Sequence, residues 1–220
     1  MLAKEDVAAV VTEPGIITGA GSTLVAYPGF LTKMREITER YGTLLIVDEV
    51  GSGFSRTGTL FGIEYEGVIP DMIALAKGIS NGAAAIGTVV GKSEIFESAF
   101  TDAILISTFG WTPIGCAAAL KTLQIHKRDK VWETAKEKGE YITDKLSALI
   151  GDKLISVHGR GMEIGATFKD AETCQNVQKR AFADGLHVIV GSGANMQIMP
   201  PITIPQDTLD KGLEILVSHI

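Results

Sequence analysis

A chain of 220 residues, 45% hydrophobic and 21% charged, can bury a sizeable core and is too apolar to read as disordered. A formal charge of −6, from 20 basic and 26 acidic side chains, argues against nucleic acid or an anionic membrane as a main partner. Two cysteines, Cys116 and Cys174, stand in unrelated contexts without metal-ligand spacing, which speaks against a disulfide framework or a zinc site.

The opening MLAKEDVAAVVTEP carries acids among its first residues and does not read as a signal peptide. No apolar window is long enough to span a bilayer, so a cytoplasmic, soluble protein is expected.

In chain order, VAAVVTEP (7–14) is a β-branched run stopped by proline and predicts a buried strand. GIITGAGSTLVAYPG (15–29) reads as an extended loop. GFLTKMREITERYG (29–42) sets Phe30, Leu31, Met34, Ile37 and Tyr41 at helical spacing and stops on Gly42. TLLIVDEV (43–50) is a second buried strand, apolar until Asp48, followed by the glycine-rich connection GSGFSRTGTLFGIEYEG (51–67). DMIALAKG (71–78) is a third strand, with Asp71 at its entry and Lys77 at its exit.

Beyond it, LISTFGWTP (105–113) predicts a loop whose Pro113 suits a first helical turn. Residues 113–149 read as helix-rich, with Gly139 a weak point. KLISVHGRGMEIGATF (153–168) predicts two strands or a hairpin, AETCQNVQKRAFADG (171–185) a helix, and LHVIV (186–190) a strand. The closing TIPQDTLDKGLEILVSHI predicts a helix with Leu209, Leu213, Leu216 and Val217 on its apolar face.

The order implies an α/β fold: a mostly parallel sheet with flanking helices over residues 1–130, then a small α+β domain over 131–220. In parallel sheets functional groups collect at the carboxyl ends of the strands, where Glu13, Asp48 and Lys77 each fall. Taken singly, a strand-end acid caps a helix and a terminal lysine reaches water. Taken together, they meet the needs of pyridoxal 5'-phosphate. That cofactor is held by a lysine and serves as an electron sink only while a carboxylate keeps its ring nitrogen protonated.

The block LLIVDEVGSGFSRTGTLFGIEYEGVIPDMIALAKGISNG resembles the signature region of class III aminotransferases, fold-type I pyridoxal phosphate enzymes that act on ω-amino and related amines. TEP, PGFL, STFGWTP and MPPITI are similar to that family's motifs in the same order. The resemblance implies that Lys77 is the Schiff-base lysine and Asp48 the partner of the pyridine nitrogen. It implies that Val50 packs on one ring face and that Thr108 reaches the phosphate of a partner's cofactor in a homodimer. Core packing for Val50 and helix capping for Thr108 are the alternatives. Glu13 at the rim, Trp111 at the entrance and Gln197 near the carboxyl terminus are the candidate substrate contacts, and loop hydrogen bonds or interface packing are the competing roles for Glu13 and Trp111.

Four departures stand out. Gly51 occupies the place of a glutamine that bonds the cofactor's phenolic oxygen. Gln197 replaces the arginine that clamps a substrate carboxylate. The 15–29 loop lacks the glutamate of ornithine-type members, and GWTP replaces GGNP. These imply an ω-amine or unusual donor rather than an ornithine-like one, with an oxo acid as acceptor. Family members are about twice as long, and no phosphate-cradling turn or ring-stacking aromatic is found. The expectation is the carboxyl-terminal half of such an enzyme, pairing with itself or with a missing amino-terminal half. A non-catalytic fragment or assembly subunit, or an aminomutase or decarboxylase using the same lysine and acid, remain the alternatives.

Overall fold

The computed structural model describes residues 2–4, 6–19, 21–102, 107–191 and 193–220, the side chains of 98–102 excepted. Leu105 and Ile106, the start of the expected loop before Pro113, lie outside the described residues. The chain divides into two compact units. One comprises Met1–Gly15, Tyr27–Phe54 and Phe61–Asp129; the other comprises Ile16–Ala26, Ser55–Leu60 and Lys130–Ile220. Two short segments from early in the chain thus group with the later residues.

The strands of the chain run β1 (Ala9–Thr12), β2 (Ile16–Ile17), β3 (Leu24–Val25), β4 (Leu44–Asp48), β5 (Met72–Leu75), β6 (Thr88–Gly91), β7 (Leu154–Arg160), β8 (Glu163–Phe168), β9 (Ile189–Val190) and β10 (Asn195–Ile198). Its helices are α1 (Phe30–Arg40), α2 (Ser93–Asp102), α3 (Pro113–Asp129), α4 (Val131–Ser147), α5 (Ala171–Ala183) and α6 (Gln206–His219).

In the first unit the sheet order is β1-β4-β5-β6. β1, β4 and β5 are parallel, whereas β6 pairs with β5 in the antiparallel sense. The three parallel strands therefore end at one edge. β4 is apolar through residue 47, yet its burial alternates, with Leu45 and Val47 fully buried and Leu44 and Ile46 only partly so. Leu31 of α1, with Phe30 and Met34 beside it, covers the Leu45–Val47 face together with Val68. Toward β5 the same face is covered by Phe54, Ile79 and the α3 side chains Ala119 and Leu123 around Leu75 and Ile73. The opposite face carries Val11, 65% exposed, beside Ile46 and Met72. Parallel sheets are ordinarily covered on both faces; among the described residues of this unit, α1 and α3 pack on one.

A buried carboxylate staples the entry side of the sheet. Asp71 accepts from the Leu45 N–H at 2.8 Å, Arg35 Nη1 at 2.8 Å and Lys92 Nζ at 2.7 Å, joining α1, β4 and the residue after β6. Burial alone would raise its pKa, but Lys92, the Leu45 N–H and Arg35 outweigh it and hold the group down to about 2.

In the second unit the sheet order is β7-β8-β10-β9, antiparallel throughout. Its core gathers Ile142 and Leu146 of α4, Ile164 and Phe168 of β8, Val177 of α5, and Leu209, Leu213 and Leu216 of α6. Two features differ from the sequence reading. β2 and β3 form a two-residue antiparallel ladder inside the segment read as a loop, and β6 and β10 are strands where none was assigned. Gly139 does not weaken α4. It is the point at which the helix meets the β7–β8 turn, where a methyl group would collide with the Gly161 carbonyl. The helical stretch breaks instead at Lys130, in the left-handed conformation between α3 and α4.

Candidate active site

Register brings the carboxyl ends of β4 and β5 to one edge. Asp48, the last residue of β4, pairs with Ala74 of β5, and Lys77 follows at the end of that strand. Neighbouring strands lie about 4.8 Å apart, so both groups share one rim. Glu13 follows Thr12, which pairs with Val47, and so sits one residue beyond β1 at the same edge. Its carbonyl oxygen accepts from the Gly15 N–H at 2.8 Å.

The orientation of Asp48 follows from strand alternation. It shares a face with Leu44 and Ile46, the face that α1 leaves open. Its Oδ1 accepts from the Val50 N–H at 2.8 Å, which fixes the carboxylate through the first turn after the strand. A half-buried, pre-oriented carboxylate bordered by an apolar row (Val11, Ile46, Met72) suits a flat heteroaromatic cation.

Lys77 is exposed and adopts a left-handed conformation, φ +46°. The positive φ of this turn belongs to the lysine itself and not to Gly78. Gly78 is required for space, because a methyl group there would stand 3.0 Å from Cβ of Phe54. Val50 is half-buried beside Asp48, and Gly51 leaves its neighbourhood without a side chain.

Thr108 is exposed in the segment before α3, as is Trp111, 83% exposed and at φ +61°. Gln197 belongs to the other unit. It is buried, and its amide nitrogen donates to Glu163 Oε1 at 3.0 Å, Thr23 Oγ1 at 3.3 Å and the Ser22 carbonyl at 3.4 Å. Glu163 is itself fully buried and accepts from Thr23 Oγ1 at 2.6 Å. Gln197 is thus tied into hydrogen bonds among Ser22, Thr23 and Glu163.

The sequence reading missed Glu49. It is fully buried next to Asp48 and accepts from Ser52 Oγ at 2.5 Å, the Gly62 N–H at 3.0 Å and the Ile63 N–H at 2.7 Å. Burial pushes its pKa up against the opposing pull of those three donors. An acid directly after a strand-end acid looks solvent-facing in one dimension, and strand alternation alone would have turned it inward. Phe54 was missed as well, although a lone aromatic in GSGFSRTG is a visible signal.

The model of the family described as aminotransferase class-III matches residues 1–220. The chain belongs to the class-III aminotransferase family. Within it, the chain is 40% identical over 213 residues to the acetylornithine aminotransferase of Methanosarcina mazei, covering 97% of this chain and 52% of that protein. It is 35% identical to the 4-aminobutyrate aminotransferase of Mycobacterium leprae, covering 96% and 49%. Its fold matches an ornithine aminotransferase from Toxoplasma gondii, described with partial occupancy of pyridoxal phosphate at the active site, with a TM-score of 0.91 at 28% identity. That match covers 99% of this chain and 52% of the other. This class-III aminotransferase chain spans about half the length of the curated relatives it matches. The α/β class inferred from the strand order, and the fold-type I architecture that the resemblance implies, agree with these neighbours. Among the described residues no helix is long and apolar enough to cross a membrane.

Proposed function

We propose that this chain carries the lysine-and-acid part of a pyridoxal phosphate-dependent aminotransferase site, taking an amino group from a terminal amine and passing it to an oxo acid. The observation that carries the reading is the placement of Asp48 and Lys77 at adjoining carboxyl ends of parallel strands, Asp48 on the face left open. When bound, pyridoxal phosphate supplies an electron sink and the carrier for the amino group.

In this reading Lys77 would hold the cofactor through its amine, and Lys77 Nζ, when free, would move a proton at the amine-bearing carbon of the substrate. Asp48, held by the Val50 N–H, keeps a proton on the ring nitrogen, and Val50 packs on one ring face. The names of the relatives, acetylornithine and 4-aminobutyrate aminotransferase, favour a donor with a terminal amine. Glu13 and Trp111 are the candidate substrate contacts of the first unit, and the engaged amide of Gln197 offers no charge for a carboxylate.

The phosphate and the second ring face need donors beyond Asp48, Val50 and Lys77. We place them on polypeptide that also covers the open sheet face, with the Thr108 hydroxyl serving a second copy in a homodimer. The exposed apolar side chains Phe109, Trp111, Ile114 and Leu120 on and before α3 support such association. A cytoplasmic setting fits the two free cysteines.

The test is to add pyridoxal phosphate, record the visible band of the lysine-linked cofactor, and assay a panel of amines with pyruvate or 2-oxoglutarate. A Lys77-dependent band with product formation supports the reading. A band without turnover leaves a cofactor-binding, non-catalytic chain, and no band sinks cofactor binding by this chain.

A further inference from the structure

Three described residues of the first unit with side chains hold a left-handed backbone close to the lysine: Phe54 at φ +57°, Lys77 at φ +46° and Asn81 at φ +49°. For a bulky residue such a φ is an outlier that the surroundings must enforce. Phe54 is 3% exposed, and its ring meets Phe61 edge-on at 5.7 Å and His126 of α3 edge-on at 6.1 Å. Its remaining side lies against Gly78, where a methyl group would stand 3.0 Å from Cβ and 3.4 Å from Cγ and Cδ2. Leu75 and Ile79, on either side of the lysine in sequence, are in the same buried cluster.

The start of this connection is clamped by Glu49. Its carboxylate binds Ser52 Oγ, its carbonyl accepts from the Gly53 N–H at 3.0 Å, and the Gly62 and Ile63 N–H groups close on it from the far end. The anchor of Phe54 therefore begins one residue after Asp48, and its ring ends one residue after Lys77. Acid and lysine are joined through a packed aromatic as well as through the sheet.

We infer that Phe54 is a positioning residue for Lys77: its ring, seated where Gly78 has no side chain, fixes the left-handed turn that sets the direction of the lysine amine relative to Asp48. The inference rests on the proposed role of Lys77, and its contact geometry is independent of that role. Gly78→Ala pushes Cβ of Phe54 or the turn by a few tenths of an ångström, and Phe54→Leu, which keeps that Cβ, removes the ring that Phe61 and His126 hold. Geometry at a reacting group is steep, a shift of about 1 Å costing on the order of a hundredfold.

The experiment compares wild type, Gly78→Ala and Phe54→Leu, each first shown by circular dichroism to keep its secondary structure. Pyridoxal phosphate is titrated in, the visible band recorded, and the adduct at Lys77 trapped with borohydride and quantified by peptide mass spectrometry. Gly78→Ala and Phe54→Leu are each expected to reduce Lys77 labelling by about tenfold, with labelling of exposed lysines such as Lys33 unchanged.

A second readout needs no cofactor: trypsin cleavage after Lys77 under native conditions should speed up in both variants. Lys77 labelling equal to wild type in either variant overturns the inference. If wild type forms no Lys77 adduct, the cofactor reading falls, and trypsin decides the packing claim, equal cleavage after Lys77 overturning it.

Discussion

Asp48 pairs with Ala74, and three residues later the same strand delivers Lys77. The acid is therefore set by the β4–β5 register, which a one-residue slip would destroy by turning Asp48 onto the α1-covered face. The lysine is set by the turn after β5, where it is left-handed and Gly78 behind it lies against Phe54.

Asp48→Asn keeps an oxygen for the Val50 N–H and removes the charge. Folding stability is expected to change by less than about 1 kcal/mol, while pyridoxal phosphate binding weakens by roughly tenfold or more, the worth of one charge-assisted hydrogen bond. An absorbance titration gives the binding constant, and unaltered affinity would contradict the assigned contact.

The acid limb of stability should report Asp71. Its folded pKa, about 2, lies below the ordinary 3.8, so its stabilising contribution is complete above about pH 4 and lost as pH falls through about 2. Asp71→Asn leaves Arg35 and Lys92 without their carboxylate and should lower stability near neutrality by roughly 3 kcal/mol, with a flatter acid limb. Glu49 acts with the opposite sign. Its raised pKa means that its contribution to folding is greatest at low pH and is lost as pH rises through that pKa. Denaturant melts of wild type and Asp71→Asn across the acid range separate the two, and identical acid limbs would refute the Asp71 staple.

Gly139→Ala reverses the usual rule. In an exposed helix interior this change is stabilising by up to about 1 kcal/mol. Here the new methyl would collide with the Gly161 carbonyl, so a loss of roughly 3 kcal/mol is expected. A thermal or urea melt showing equal or higher stability would contradict the close approach.

Much of the first unit was legible because its strands are short, apolar and bounded by Pro, Gly or an acid. VAAVVTEP, TLLIVDEV and DMIALAKG contain β1, β4 and β5, and the Phe30 to Tyr41 periodicity contains α1. β6 escaped because TVVG is four residues long and antiparallel in an otherwise parallel sheet. β2 and β3 escaped because two-residue ladders rest on tertiary pairing rather than on local pattern. Of the site, Asp48 and Lys77 stood out as charges ending apolar runs. Glu49 and Phe54 did not, since a buried acid held by three donors and an aromatic seated on a glycine depend on contacts distant in sequence. Gln197 was singled out by comparison with a family pattern, whereas its engagement by Glu163 and Thr23 emerges only across β8, β10 and the 22–23 segment.

The most direct test is peptide mapping of the borohydride-trapped pyridoxal phosphate adduct in wild type and Lys77→Ala. Lys77 is exposed, so its removal should leave the fold intact while the visible band disappears and the label is lost from the peptide spanning residue 77. A band of equal intensity in Lys77→Ala, or a wild-type label spread evenly over surface lysines, would contradict the account.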